Sequence, residues 1–190
     1  MNKQIALAAL AIATGAAAPA LAQDAPQTGV YAGLGWSETN TQGANTGSID
    51  GKLGYRFNRY LGVEGDLSAG LMSGGKDGPA GSPTHVDVKQ RYAGAGYVVG
   101  SLPVTRNAEL FARVGYGGSS YSVTPAGTPE YHATEDGLRF GAGGQVFSGS
   151  NGLRAEYTRE QMNNLTDPGG ALSAGHDHAD VWAVSLVHRF

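Results

Sequence analysis

The chain has 190 residues, of which 31 are glycine, none is cysteine and only 15% are charged. Glycine exceeds its average usage of roughly 7% more than twofold but keeps no three-residue period, which excludes collagen, and the lack of cysteine excludes a disulfide-stapled miniature. A mean hydropathy of −0.24 argues against a bundle of membrane helices, each needing about 20 apolar residues in a row, but it leaves room for a membrane β-barrel, whose strands are only half apolar.

Residues 1–22 have the pattern of an export signal. Met1-Asn2-Lys3-Gln4 supplies a positive charge, Ile5 to Ala18 an apolar run, and Ala20-Leu21-Ala22 a small-x-small cleavage site. The expected mature chain, residues 23–190, is one domain. Its 12 basic residues face 16 acidic ones, because only Lys3 is lost from the 13 basic residues of the whole chain. That balance excludes a nucleic-acid binder, which would present a basic face. Without cysteine there is no lipoprotein anchor, and no disulfide holds the exported fold.

Eight stretches with a period of two follow, as expected of strands with two different faces. In the first, Val30, Ala32, Leu34 and Trp36 alternate with Tyr31, Gly33, Gly35 and Ser37. The second reverses parity, with Ile49, Gly51, Leu53, Tyr55 and Phe57 opposite Ser48, Asp50, Lys52, Gly54 and Arg56. The third sets Leu61, Val63, Leu67, Ala69 and Leu71 against Gly62, Glu64, Asp66, Ser68 and Gly70. The fourth, Val86 to Val99, is expected to carry Asp87, Lys89, Arg91, Ala93 and Ala95 on one face and Val88, Gln90, Tyr92 and Val98 on the other. The fifth places Leu110, Ala112, Val114 and Tyr116 opposite Glu109, Phe111 and Arg113; the sixth places Leu138, Phe140, Ala142 and Val146 opposite Arg139 and Gln145. In the seventh, Leu153, Ala155 and Tyr157 oppose Arg154, Glu156, Thr158 and Glu160. The last runs Trp182, Val184, Leu186, His188, Phe190. Strands of about 9 to 11 residues match a bilayer crossed at a tilt.

The connections alternate. Segments 38–47, 72–85, 118–136 and 161–178 read as long loops rich in Gly, Pro, Asn, Ser and Thr, whereas those around Asn58, Ser101 to Asn107 and Ser148 to Asn151 are short. An up-and-down barrel with an even strand number produces this alternation, with short periplasmic turns and long outer loops. The predicted fold is therefore all-β: an eight-stranded antiparallel up-and-down transmembrane β-barrel behind a cleaved signal peptide.

Energetics decide which face meets lipid. A Lys or Arg on the lipid face at mid-membrane costs about 2–4 kcal/mol, and the inverted register would expose Lys52, Glu64, Asp66, Arg113, Arg139, Arg154 and Glu156 together. The apolar faces therefore point outward. Phe57, Tyr60, Phe147 and Phe190 are expected at the periplasmic rim, and Trp36, Tyr116, Tyr157 and Trp182 at the outer rim, as interfacial girdles. A barrel of this size is only wide enough for its own side chains. Seven acids (Asp50, Glu64, Asp66, Asp87, Glu109, Glu156, Glu160) and seven bases (Lys52, Arg56, Lys89, Arg91, Arg113, Arg139, Arg154) read as inward. Buried ions must be paired. A three-residue turn at Asn58-Arg59-Tyr60 sets Lys52 opposite Asp66, and a four-residue turn at Ser148 to Asn151 sets Gln145 by Arg154 and Arg139 by Glu160. The inward glycines are expected to leave volume for these long side chains.

Several motifs carry a resemblance: Gly29-Val30-Tyr31-Ala32-Gly33-Leu34-Gly35, the hairpin from Gly54-Tyr55-Arg56-Phe57 to Leu61-Gly62-Val63-Glu64-Gly65, Phe111 to Gly117, Gly152 to Arg159, and Trp182 to Phe190. Across the whole mature chain they resemble the small outer-membrane β-barrels of Gram-negative bacteria, the group of the OmpA-type transmembrane domain and the opacity-type surface proteins. The resemblance implies a monomer in the outer membrane, in contact with outer-membrane lipid and lipopolysaccharide. It also implies that Trp182, Val184, Leu186, His188 and Phe190 form the signal read by the outer-membrane assembly machinery, although His188 departs from the Tyr usual there. No peptidoglycan-binding domain is expected to follow.

Other chemistry is weakly supported. His176, Asp177, His178 and Asp180 are metal-ligand types on a Gly-rich loop without a third histidine, and read as a solvated loop tip. Ser173, His178 and Asp180 have no scaffold to orient a triad, and the glycine strings near 94–96 and 141–144 open no helix that could cradle phosphate. No catalytic residue, cofactor or metal is expected. Three functions remain: a structural or surface-interaction role without an open pore, a narrow porin-like channel, and an adhesin acting through its long loops.

Overall fold

The computed structural model describes residues 28–41, 44–77, 85–125, 129–161, 164–166 and 178–190. The signal segment 1–22 lies outside them, as do Ser173, His176 and Asp177. The strands are β1 (Gly29–Thr41), β2 (Ala44–Arg56), β3 (Leu61–Met72), β4 (Gly74–Asp77), β5 (His85–Pro103), β6 (Ala108–Pro125), β7 (Tyr131–Ser148), β8 (Asn151–Gln161), β9 (Asn164–Thr166) and β10 (His178–Arg189).

Hydrogen bonding runs β3-β2-β1-β10-β8-β7-β6-β5, and β5 pairs back onto β3, so eight strands close into a ring. The short β4 pairs with β5 beyond Ser73, and the short β9 pairs with β7. Every ladder is antiparallel, and β1 meets β10 from Tyr31↔Arg189 to Asn40↔Asp180. Closure matters in lipid, where an unpaired backbone group costs several kcal/mol. The ring leaves no open strand edge along these ladders.

The solvent pattern of a globular protein is turned inside out. Leu34, Leu53, Leu67 and Leu186 are 62%, 62%, 73% and 70% exposed, while Arg154 is 1% exposed. Burial alternates residue by residue along β8 and β10, as the period of two requires.

Three sequence expectations need correction. Segments 38–47 and 118–136 are largely strand, not loop: β1 and β2 remain paired to Thr41↔Ala44, and β6 and β7 to Val123↔Tyr131. Above the membrane the outward face no longer has to be apolar, so the hydrophobic alternation fades while the backbone ladder continues. Asp87 and Lys89, with Arg91, do not point inward. A β-bulge between Gln90 and Tyr92 inserts Arg91 as an extra residue, and Gln90 and Val88 take the inward positions opposite Tyr121 and Val123. Asp87, Lys89 and Arg91 are all exposed. The bulge brings the Gln90 carbonyl against Gly70, where any Cβ would collide with it. Phe147 is not a rim aromatic either. It is 7% exposed and packs inward with Tyr31 and Val187, which its parity with Gln145 demands.

Candidate functional site

The lumen is where the chemistry of this chain collects, and it is stacked in three layers along the barrel axis. The periplasmic layer centres on Glu109, which accepts hydrogen bonds from Arg56 Nη1 at 2.8 Å, from Arg189 Nη2 at 3.0 Å, and from Gln145. Arg189 comes from the penultimate position of the chain, so the end of β10 is tied across to β6.

The middle layer is the tightest. Register sets Lys52 of β2 opposite Asp66 of β3, and Gln145 of β7 opposite Arg154 of β8. Arg154 grips Glu64 with two parallel hydrogen bonds, 2.6 and 3.0 Å, and donates from Nε to Glu156 at 2.7 Å. Arg113 of β6 donates to Glu64 at 2.7 Å, Asp66 at 2.6 Å, Glu156 at 3.0 Å and Thr158 at 2.9 Å. Lys52 Nζ lies 2.7 Å from Glu156 and 3.3 Å from both Asp50 and Asp66. The Tyr31 hydroxyl adds a 2.7 Å hydrogen bond to Glu64. Arginine suits this place because its planar fork holds carboxylates bidentately and is more weakly hydrated than an ammonium.

The outer layer pairs Arg139 with Glu160 at 2.7 Å and with Ser119 at 2.9 Å. Above it, Tyr121 donates to Glu135 at 3.0 Å. Glu135 stands beyond the lipid-facing run that ends at Leu138, because the next outward residue is Asp136, which accepts a hydrogen bond from Tyr116 at the rim. Burial, and then the neighbouring Glu160 charge, push the Glu135 carboxyl up to about 7. Sequence reasoning missed Glu135 because it sits in a segment read as loop; the alternation Ser119, Tyr121, Val123 was the available signal. It also left Arg189 out of the inward charges.

The glycines do more than leave room for long charged side chains, as Gly141 does beside Arg113. Gly115 lies under the Tyr97 ring, where a Cβ would fall 2.6 Å from it, and Gly143 and Gly152 likewise underlie Phe111 and Phe147. On these rings sit guanidinium groups: Arg113 4.1 Å over Tyr97, Arg154 4.0 Å over Phe111, and Arg189 3.3 Å over Phe147. Glycine makes room for a flat aromatic ring, and the ring orients the arginine. Each such contact stabilises by about 0.5–2 kcal/mol.

On the outside, Trp36, Tyr116 and Trp182 are exposed at the outer rim and Phe57, Tyr60 and Phe190 at the periplasmic rim. Trp182, Val184, Leu186, His188 and Phe190 form one exposed outward row on and just past β10. His178 is exposed, and Asp180 pairs with Arg159 at 3.0 Å and accepts a hydrogen bond from Tyr157. No group of three or more His, Cys, Asp or Glu side chains among the described residues could hold a metal.

Residues 6–190 match the family described as outer membrane protein beta-barrel domain. The chain belongs to this family. It is thus an outer-membrane β-barrel protein, and the family carries with it location in a Gram-negative outer membrane. No curated protein matches it in sequence. Its fold is similar to that of the Neisserial surface protein A, at 14% identity with a TM-score of 0.59, covering 88% of this chain and 100% of that one. It is also similar to OprG of Pseudomonas aeruginosa, at 12% identity and a TM-score of 0.56 over 89% and 99% of the two chains. Ail, the attachment invasion locus protein of Yersinia pestis, solved with the heparin analogue sucrose octasulfate, is 17% identical with a TM-score of 0.54 over 86% and 97%. Identities this low speak for the fold alone.

Proposed function

We propose that this outer-membrane barrel serves a structural or surface-interaction role, without catalysis and with a lumen that does not conduct. The observation that carries this is the middle layer, where Lys52, Arg113 and Arg154 each bridge two or more of Asp50, Glu64, Asp66 and Glu156, side chains no more than 15% exposed. An ion crossing there would have to separate several buried pairs, each worth several kcal/mol once a partner is withdrawn. These residues act as struts between β2, β3, β6 and β8. Pure protein in planar bilayers is expected to show no conductance above leakage; a steady single-channel current would replace this reading with the porin-like one.

The remaining roles follow the same logic. Residues 1–22 are removed on export. The outward row Trp182, Val184, Leu186, His188, Phe190 is the segment presented to the assembly machinery, so deleting Phe190 should lower the fraction of folded, heat-modifiable protein in outer-membrane fractions. The barrel works as a monomer, its rim aromatics in contact with outer-membrane lipid and lipopolysaccharide.

A further inference from the structure

One small cavity lies in the wall of the lumen, about 50 Å³ in volume and lined by Ser37, Asp50, Lys52, Asp66, Ser68 and Thr158 among others. Each water needs roughly 10–15 Å³ of such volume, so the space is enough for a small guest. Asp50 faces it from β2 at 4% exposure, yet neither of its carboxylate oxygens makes a hydrogen bond. Its one cation among the described residues, Lys52 at 3.3 Å, is shared with Glu156 at 2.7 Å and Asp66 at 3.3 Å. The neighbourhood repeats the shortage of partners. Ser48, on the same inward face of β2, is 1% exposed with its Oγ unpartnered, and so is Ser185 at 2%. Asp50 and Ser185 flank Gly35 of β1 from either side. Asp66 Oδ1 is unpartnered too.

The charged side chains that line the cavity do not balance, with Asp50, Asp66, Glu156 and Glu160 facing Lys52, Arg113 and Arg139. Within the network linked by ion pairs, the four carboxylates of Asp50, Glu64, Asp66 and Glu156 meet the three cations Lys52, Arg113 and Arg154. An uncompensated buried charge is costly, and the least compensated member is Asp50. Water could satisfy hydroxyl groups, but it supplies no charge.

We propose that this cavity binds a small monovalent cation, sodium in size and charge, held by the Asp50 carboxylate with the hydroxyl oxygens of Ser37 and Ser68, which line it. The chemistry fits a hard, weakly bound ion: oxygen ligands only, one carboxylate in excess, and no cluster of three acidic or histidine side chains among the described residues that would select a transition metal. Bound there, the ion neutralises the middle layer and adds to the stability of the closed lumen. The site stands independently of whether the lumen conducts.

The test uses the full barrel in detergent, unfolded by heat at fixed pH and ionic strength, with sodium chloride exchanged for N-methylglucamine chloride, whose cation is too large for the cavity. With sodium about tenfold above its Kd, the midpoint should rise by about 3–6 °C. Asp50→Asn, isosteric and lacking any hydrogen bond to lose, should fold and show no such rise. The Ser37→Ala, Ser68→Ala double variant keeps every charge and should show a reduced one. Broadening of the sodium-23 NMR line by the wild type and not by Asp50→Asn reads binding directly. Equal midpoints in the two salts with no line broadening, as for a cavity filled by water alone, would overturn the proposal, and so would a sodium response that Asp50→Asn retains.

Discussion

The middle and the outer mouth of the lumen are built from the same residue types and behave as opposites. In the middle, Glu64 is held by Arg154, Arg113 and Tyr31, and Glu156 by Arg154, Arg113 and Lys52, so each of these two carboxylates has more than one support. At the mouth, Glu135 leans on a tyrosine hydroxyl while the nearest guanidinium, Arg139, is committed to Glu160. Thin pairing leaves Glu135 as a carboxylate that holds its proton to near neutrality. Position in the bilayer explains the difference. The middle lies behind lipid-facing strands and draws most of its partners from the chain itself, whereas the mouth stands above the lipid-facing run.

The largest effect should come from removing a middle strut. Arg154→Ala withdraws the partner of both Glu64 and Glu156, and is expected to cost about 3–5 kcal/mol, read as a lower urea midpoint of the refolded barrel. A loss no greater than that of an outward substitution would show that the middle is not redundant but irrelevant. The Glu135 contribution is smaller and depends on pH. Its folded value of about 7 stands above the ordinary 4.5, so between those two values the folded state binds more proton than the unfolded one. Stability should therefore fall as pH rises from about 4.5 to about 7, by roughly 1–3 kcal/mol, and level off above. Glu135→Gln should flatten that decline. The smallest effect is expected at the outer rim, where Arg159 and Asp180 pair in reach of water. Arg159→Ala should leave the midpoint within the scatter of measurement and erase only a salt-sensitive fraction.

The Lys52–Asp66 and Arg139–Glu160 pairings were legible because parity and turn length together leave one register, and both ladders have it. Neither rule could reveal that Lys52 also reaches Glu156, or that Arg154 reaches Glu64 across the lumen, since those contacts join strands that are not neighbours. The β5 bulge escaped for a related reason. Val88 and Lys89 alternate as well in one parity as the other, and only the ladder to Tyr121 and Val123 decides which faces in.

By itself the sequence determined the class, the facing of the strands and their neighbours along the chain. It could do so because a membrane imposes a periodic constraint: every second residue must be apolar for as long as lipid lies outside. The tertiary structure alone decided how far the strands run beyond the lipid, which arginine crosses to which carboxylate, and that glycines bed aromatic rings under those arginines. These depend on distances across a closed ring, and no local period records them. Nor did composition indicate that a count of seven acids and seven bases would become, among the described residues, seven carboxylates (Asp50, Glu64, Asp66, Glu109, Glu135, Glu156, Glu160) against six cations (Lys52, Arg56, Arg113, Arg139, Arg154, Arg189), once the bulge turned Asp87, Lys89 and Arg91 outward and the folded ring brought Glu135 and Arg189 in.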